Sequence, residues 1–139
     1  MVREALNQDF NRINEIGLLI KENFSIVYKI DEAVKNDYVH IYVYEEDNKV
    51  LGFIHIEEHF EITDVINIAV DKDSQGKGVG KKLLQYVIDN TKAEKLMLEV
   101  KENNIPAIKL YESMGFKQIH MRPNYYEGNI NALIMERSI

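Results

Sequence analysis

A polar, glycine-dense stretch in the middle of the chain constrains the fold more than any other feature. It runs from Asp71 to Gly80, follows an apolar segment at 62–70, and precedes a helical pattern in which Val79, Leu83 and Val87 form one stripe. A strand, a loop and a helix are therefore predicted in that order. Glycines let the backbone approach a ligand closely, and the first turn of a helix has free N–H groups that attract anions. The loop favours a phosphate or pyrophosphate ligand, the alternative being a tight turn without a ligand.

The spacing within this loop argues against two common phosphate-binding motifs. A Walker A motif requires glycine and Ser/Thr at the positions occupied here by Gln75 and Lys82. The Rossmann fingerprint requires Gly-x-Gly-x-x-Gly, whereas these glycines are spaced Gly-x-Gly-x-Gly. The loop carries Lys82 together with Lys77 and Lys81, so the pattern still indicates an anion site, but not a P-loop nucleotidase or a Rossmann domain.

Hydrophobic periodicity over the rest of the chain predicts a mixed α/β fold. Helical spacing at Asn7–Asn23 and, more weakly, at Asp31–Asn36 gives way to a period of two, with polar turns between the segments. Three consecutive strands joined in this way are typical of an antiparallel meander. Their expected bounds are Val39–Glu45, Val50–Glu57 and Ile62–Val70, followed by a helix at Val79–Asn90, a strand at Lys95–Val100, a helix at Asn104–Ser113 and strands at Phe116–Met121 and Ala132–Arg137. We expect a mostly antiparallel central sheet flanked by helices.

Length, composition and charge narrow the class of protein. The 139 residues suit one domain over 1–139, and the absence of cysteine excludes disulfides and a cysteine nucleophile and fits the cytoplasm. No apolar run is long enough to cross a membrane, and a net charge of −6 argues against a nucleic-acid partner. That charge is uneven, because residues 1–70 sum to −8 and residues 71–139 to +2. The asymmetry either matches two oppositely charged partners or reflects scattered surface charge.

Two motifs resemble those of the GNAT acetyltransferases. The spacing Gln75-x-x-Gly78-x-Gly80 between a strand and a helix is similar to motif A of that family, and the segment from Asn104 to Phe116 resembles its later Asn-x-x-Ala…Leu-Tyr…Gly-Phe motif. The predicted element order also resembles the GNAT fold. The resemblance implies that acetyl-CoA is the co-substrate, with its pyrophosphate held by the glycine loop. Three further strings, Asn67-Ile-Ala-Val-Asp71, Leu98-Glu-Val100 and Arg122-Pro-Asn-Tyr-Tyr126, resemble most closely the subfamily of ribosomal-protein-alanine N-acetyltransferases.

The resemblance implies a catalytic pair. Glu99 is the candidate general base, working through water, with the alternative that it is a solvated carboxylate paired with Lys95 or Lys101. Burial would raise the pKa of such a carboxyl toward the working pH. Tyr111 is the candidate general acid for the coenzyme A thiolate, with the alternative that its ring packs in the core.

The resemblance also implies which residues contact the two substrates. Strand backbone is expected to face the pantetheine and the acetyl carbonyl, the glycine loop to cradle the pyrophosphate, and a side-chain amide to bond the pantetheine arm. These cofactor-binding residues are Ile68, Ala69, Val70, Gln75, Gly76, Lys77, Gly78, Val79, Gly80, Lys81 and Asn104. Tyr125 and Tyr126 are expected beside the acceptor channel, or else to cover a sheet edge. The carboxylates Glu57, Glu58, Glu61 and Asp64 are expected near the acceptor entrance, where they would favour a basic peptide tail, or else form a solvated turn.

One further string is a decoy. His55-Ile-Glu-Glu-His59 matches the H-x-x-E-H sequence of zinc peptidases, which place both histidines on one helix face. The flanking residues alternate as in a strand, so we expect no metal site.

The resemblance thus predicts an enzyme that moves an acetyl group directly from acetyl-CoA to a primary amine, such as a protein N-terminal α-amine. Acetylation of a small amine (a polyamine or an aminoglycoside), an acetyl-CoA-binding module without activity, and pairing of two copies into a homodimer all remain open.

Overall fold

The computed structural model describes residues 1–139 and consists of one seven-stranded sheet with helices on both faces. The strands are β1 (Val2–Glu4), β2 (Val39–Glu46), β3 (Lys49–Glu58), β4 (Ile62–Val70), β5 (Lys95–Lys101), β6 (Lys117–Tyr126) and β7 (Ile130–Ser138). The helices are α1 (Phe10–Gly17), α2 (Phe24–Tyr28), α3 (Ile30–Ala33), α4 (Val79–Asn90) and α5 (Ile105–Ser113). The strand order is β1-β2-β3-β4-β5-β7-β6, and only β4 and β5 pair in parallel. The predicted mixed, mostly antiparallel sheet is confirmed.

Local sequence explains the meander that forms the first half of the sheet. Asp47 and Asn48, between β2 and β3, have φ angles of 51° and 63°. Two consecutive residues with positive φ match the right-handed twist of the adjoining strands, and Asp and Asn tolerate that conformation better than most residues. The predicted strands therefore appear with bounds that differ by at most one residue.

The sheet separates two hydrophobic cores. On one face α4 and α5 cover the larger core, which includes Ile54, Leu83 and Leu98. On the other face α1, α2 and α3 cover a smaller core around Phe24 and Phe53. Because side chains alternate along a strand, a residue's neighbours in sequence show which face its side chain occupies.

The first helix is shorter than the periodicity predicts. The expected helix over Asn7–Asn23 is instead a short 3-10 turn, α1 ending at Gly17, and a separate helix α2. The ring of Phe24 lies on Gly17, where a Cβ atom would overlap it, so the chain turns back to bury this ring. The hydrophobic pattern continues through the turn because both segments pack on the same core, and periodicity alone does not detect the break. Strand β1 was not predicted, and β6 extends to Tyr126 rather than ending at Met121.

The parallel pair β4 and β5 opens into a gap that positions the site. Pairing runs only from Ile62 with Lys95 to Val65 with Leu98, and beyond these residues the strands diverge. A bulge at Ile66 interrupts β4 just where the divergence begins. Bulges add twist and redirect side chains, so the carboxyl ends of β4 and β5 enclose a wedge-shaped space between them.

No helix of the fold combines the length and the apolar character that crossing a membrane requires.

Candidate active site

The glycine loop follows β4 at the open end of the gap. Gly76 and Gly78 have φ angles of 79° and 83°, which glycine adopts without strain, and nothing lies within 4 Å of the position of a Cβ atom on either residue. The Gln75 amide donates to the Val70 carbonyl over 3.1 Å and so attaches the loop to the end of β4. The loop therefore presents bare backbone toward solvent.

The backbone N–H groups from Gly76 to Lys81 donate no hydrogen bond within the protein. They lead into the first turn of α4, whose dipole adds partial positive charge at that end. Lys77 and Lys81 are exposed beside them, and the exposed Lys82 donates a hydrogen bond to the Tyr44 hydroxyl over 3.4 Å. Six free donors with two cations form a cradle that suits a pyrophosphate. Because the Lys82 ammonium contacts Tyr44 on β2, its contribution to the anion site stays a prediction.

Strand β4 directs two of its peptide groups into the gap. The Asp71 N–H donates to the Leu51 carbonyl of β3. In an antiparallel pair every second residue bonds the neighbouring strand, so this bond shows which N–H groups of β4 point toward β3. By that alternation Ala69 faces β3, while Ile68 and Val70 direct their N–H groups away from β3 and into the gap. These two N–H groups are therefore available to a ligand lying between β4 and β5.

The Glu99 carboxylate lies on the far wall of the gap. Leu98 and Val100 point into the core under α4 and α5, so Glu99 points to the opposite face of the sheet. Its side chain is 32 % exposed, and its Oε1 lies 3.4 Å from Nη2 of Arg122 on β6. Glu99 is therefore only partly buried, and the alternative pairing with a lysine is wrong, because Lys95 pairs with Glu136 and Lys101 lies over a tyrosine ring.

Tyr111 approaches from the other face of the sheet. It lies on α5, is buried and packs against Phe116 with ring centres 5.8 Å apart. Burial raises the pKa of the Tyr111 phenol to about 12. The hydroxyl donates no hydrogen bond within the protein. A phenol that stays protonated at neutral pH and has no internal partner can donate to a ligand.

Asn104 begins α5, as its position in the later motif suggests. Its Oδ1 accepts from the Ala107 N–H over 3.3 Å and caps the helix. The amide nitrogen of Asn104 has no partner within the protein, so it remains free to donate to a ligand.

Tyrosines lie close to Glu99 on its side of the gap. Tyr125 is 53 % exposed, and its ring meets that of Tyr126 edge-on at 5.2 Å. The Arg122 guanidinium lies 5.4 Å from the Tyr125 ring, so one arginine contacts both Tyr125 and Glu99. Burial raises the pKa of Tyr126, and the nearby Glu99 carboxylate raises it further. Burial also raises the pKa of Tyr28, with a smaller contribution from Tyr125. Tyr28, Glu99, Arg122, Tyr125 and Tyr126 thus surround one open surface.

The acidic turn lies elsewhere. The β3–β4 turn is at the opposite end of β4 from the glycine loop, and Ile62 there pairs with Lys95. Glu99 is four residues further along β5, roughly 13 Å away at about 3.3 Å per residue. Local partners hold three of these carboxylates, because His59 contacts Glu57 and Asp64, and His40 contacts Glu58. Asp64, however, pairs with Met97, two residues before Glu99 on β5, so the expectation that these carboxylates border the acceptor entrance stays a prediction.

Several residues of this surface were not predicted as site residues. Arg122 belongs to the Arg-Pro-Asn-Tyr-Tyr string that ends at Tyr126, and its sequence position beside the two tyrosines was the available signal. Tyr28 lies nearly one hundred residues earlier, and no local pattern connects it to them. His55 and Asn67, two buried polar residues on neighbouring strands, were also missed as a pair.

Comparison with known proteins gives consistent results. The model of the Acetyltransferase (GNAT) family matches residues 2–116. The [Ribosomal protein bS18]-alanine N-acetyltransferase of Haemophilus ducreyi is 33% identical, with 97% of each chain covered. The corresponding protein of Escherichia coli K12 is 38% identical over 96 residues, which is 65% of each chain.

Solved structures match over the whole chain. The ribosomal-protein-S18-alanine N-acetyltransferase of Escherichia coli superposes with a TM-score of 0.88 and 28% identity, covering 100% of this chain and 93% of that one. A GNAT family acetyltransferase of Elizabethkingia anophelis with acetyl-CoA bound has a TM-score of 0.80 and 20% identity, with 100% and 97% covered. At 20% identity, this second comparison shows only that the two proteins share a fold.

Proposed function

The chain belongs to the GNAT acetyltransferase family and is an acetyl-CoA-dependent N-acetyltransferase, and on that premise we propose that its acceptor is the α-amine of a protein N-terminus. The relatives that are 33% and 38% identical act, by their names, on an alanine of ribosomal protein bS18. The observation that carries the proposal is the open, tyrosine-lined surface beside Glu99. A chain end can reach it from outside, since Tyr125 is more exposed than buried.

The residues present fit acetyl-CoA. The free N–H groups from Gly76 to Lys81 would hold the pyrophosphate, the Asn104 amide would bond the pantetheine arm, and the gap would admit that arm. When bound, acetyl-CoA supplies an acetyl group activated as a thioester. The N–H groups of Ile68 and Val70 would donate to the carbonyl oxygen as negative charge develops on it, and donors of this kind typically contribute about 100- to 1000-fold in rate.

Glu99 and Tyr111 are proposed to handle the protons. The amine must be neutral to attack, so Glu99, through water, takes a proton from it as its nitrogen bonds the carbonyl carbon. The carbon–sulfur bond then breaks, and Tyr111 gives its proton to the departing sulfur. Arg122, which pairs with Glu99 in the free protein, must release the carboxylate or share it when the amine enters.

Acetylation of an N-terminal peptide panel, compared with a polyamine and aminoglycoside panel, tests the acceptor. We expect alanine-initiated peptides to be acetylated on the α-amine, which mass spectrometry localises. The Glu99→Gln variant should lose about 100-fold in kcat at neutral pH, because its amide cannot take a proton from the amine. Glu112→Gln, an exposed carboxylate on α5, is the matched control and should match the wild type. Acetylation of the small amines alone would overturn the proposed acceptor.

Two finer proposals follow from the same relatives and the same sheet. An enzyme acting on a ribosomal protein works in the cytoplasm, and we propose that location for this chain. Strand β6 is a free edge of the sheet with Ile119 and Met121 exposed, and such an edge can pair with a second copy. Light scattering should then give twice the chain mass, whereas the monomer mass at every concentration would exclude the pairing.

A further inference from the structure

The bulge in β4 turns one polar side chain toward the acceptor side of the sheet. His55 on β3 pairs with Asn67, but the next residue, Ile56, pairs with Val65, so Ile66 is the extra residue. Val65 points into the core under α4 and α5. Without the bulge Asn67 would share that face, because residues two apart do so along a regular strand. The bulge instead places Asn67 on the face that Glu99 occupies.

Asn67 forms a buried polar pair with His55. The two side chains are only 5 % and 3 % exposed, and the Asn67 amide nitrogen lies 3.4 Å from His55 Nδ1. Burial lowers the pKa of His55 to about 4, so the ring is neutral at physiological pH. A neutral ring that accepts at Nδ1 carries its proton at Nε2, and that buried atom has no hydrogen-bond partner. A buried polar group without a hydrogen-bond partner lowers the stability of the fold, so the presence of this pair requires an explanation.

The geometry leaves one oxygen of the pair unused. With its nitrogen directed to His55, the Asn67 carboxamide has its Oδ1 without a partner in the protein. Asn67 immediately precedes Ile68, whose N–H faces the gap, and Glu99 lies on the same face across that gap. The Tyr28 ring lies edge-on to His55 at 6.4 Å and joins the pair to the tyrosine-lined surface. The unused oxygen is therefore near the place where an amine enters.

We propose that His55 is a positioning residue for the acceptor amine, because it holds the Asn67 carboxamide so that Oδ1 accepts a hydrogen bond from that amine. The inference rests on the proposed function. Two acceptors then flank the nitrogen, Glu99 on β5 and Asn67 on β4, and together they orient its lone pair toward the carbonyl carbon. Asn67 takes no proton, and His55 acts only through Asn67. The role predicts an effect on the acceptor rather than on acetyl-CoA.

Substitutions of the pair separate positioning from folding. His55→Leu and Asn67→Leu remove the hydrogen bond at similar volume, and His55→Asn retains an acceptor near the position of Nδ1. The matched control is Thr63→Val, which removes another buried hydrogen bond of β4, 2.8 Å to Thr91, at the end of the strand away from the gap. Steady-state kinetics with an alanine-initiated peptide and with acetyl-CoA would be measured together with the Tm of each variant.

We expect His55→Leu and Asn67→Leu to raise the peptide KM roughly tenfold, the equivalent of about 1.4 kcal/mol for one hydrogen bond, with the acetyl-CoA KM unchanged. His55→Asn should restore the peptide KM to within about threefold, and Thr63→Val should lower Tm without moving either KM. A folded His55→Leu variant with the wild-type peptide KM overturns the proposal. Equal changes in both KM values also overturn it, because they indicate a general structural role.

A measurement on the unmodified protein keeps the proposal testable if the leucine variants do not fold. The side-chain ¹⁵N resonances of His55 should shift when the peptide is added to protein saturated with coenzyme A. An unchanged resonance at saturating peptide overturns the proposal. If the wild type acetylates a polyamine and no peptide, the proposed function fails, and the same comparison with that polyamine decides the role of His55.

Discussion

At the scale of single residues, the two proposed proton-handling groups occupy contrasting surroundings. Tyr111 is buried under α5 and keeps its proton, while Glu99 is partly exposed and ionically paired with Arg122. A proton donor must be protonated before the reaction, and a base must be free of its proton. Tyr111 is therefore in the state that its proposed role requires, and the two side chains lie on opposite faces of the sheet around one gap.

Tyr111→Phe tests the proton donor. We expect kcat to fall about 100-fold, because the departing thiolate loses its proton source, while acetyl-CoA affinity changes little since the ring still packs against Phe116. Release of free thiol at saturating substrates measures the first effect and calorimetry the second. Tyr86→Phe, a tyrosine on α4 that packs against Tyr42, serves as the control. Wild-type turnover in Tyr111→Phe would remove this residue from the mechanism.

His55 makes stability depend on pH. The pKa of His55 is lowered from 6.5 to about 4 in the folded protein, so between these values the unfolded chain binds a proton that the folded chain does not. The free energy of unfolding should therefore fall as pH drops from about 6.5 to about 4, by up to about 3 kcal/mol from this group. Urea titrations of the wild type and His55→Leu at pH 7 and pH 4.5 measure it. An equal loss in both proteins would show that other groups cause it.

At the scale of elements, a turn with positive-φ glycines leads into α4, the helix that we propose binds the pyrophosphate. Gly76 and Gly78 give the loop a shape that other residues adopt only with strain, and the free N–H groups of the loop point outward as a result. Gly80, next in the motif, serves packing, because a Cβ atom there would lie 3.3 Å from Leu110 on α5. Gly76 and Gly78 are therefore favoured for their positive φ angles, and Gly80 is favoured because α5 packs closely against it.

Gly78→Ala tests the loop against a matched control. Both Gly78 and Gly128 have positive φ with open space around them, so alanine at either site should cost about 1 kcal/mol of stability. Only Gly78 begins α4, so only Gly78→Ala should weaken acetyl-CoA binding, by roughly tenfold, while Gly128→Ala leaves it unchanged. Calorimetric titration of both variants measures this. Equal acetyl-CoA affinities in the two variants would show that the loop does not bind the cofactor.

At the scale of the whole molecule, acidic and basic side chains lie at opposite ends of β4. The acidic β3–β4 turn lies at one end of that strand, and the glycine loop with Lys77 and Lys81 lies at the other. The basic end suits the phosphates of acetyl-CoA. At the acidic end, His40 contacts Glu58, and His59 contacts Glu57. The charge asymmetry therefore supports the proposed cofactor site, whereas tyrosines, Glu99 and Arg122 line the proposed acceptor surface.

Acetyl-CoA should stabilise the whole fold, because its proposed contacts span β4, α4 and α5. A ligand at 100 times its Kd contributes about 2.7 kcal/mol, which for a domain of this size raises Tm by roughly 10 °C. Differential scanning calorimetry measures the shift. The acetyl thioester of N-acetylcysteamine lacks the pyrophosphate and should give a far smaller shift at the same concentration. No shift with acetyl-CoA would contradict the assignment of the loop.

The sequence by itself determined the strands of the meander, the loop and α4, and the positions of Glu99 and Tyr111 in their elements. These features depend on local rules, namely periodicity, capping and glycine spacing. The tertiary structure alone decided the end of α1 at Gly17, the exposure of Glu99 beside Arg122, the opening of β4 from β5, and the burial of His55 with Asn67. Each of these brings together residues far apart in the chain, and such contacts depend on strand order and on the bulge at Ile66, which no short pattern encodes.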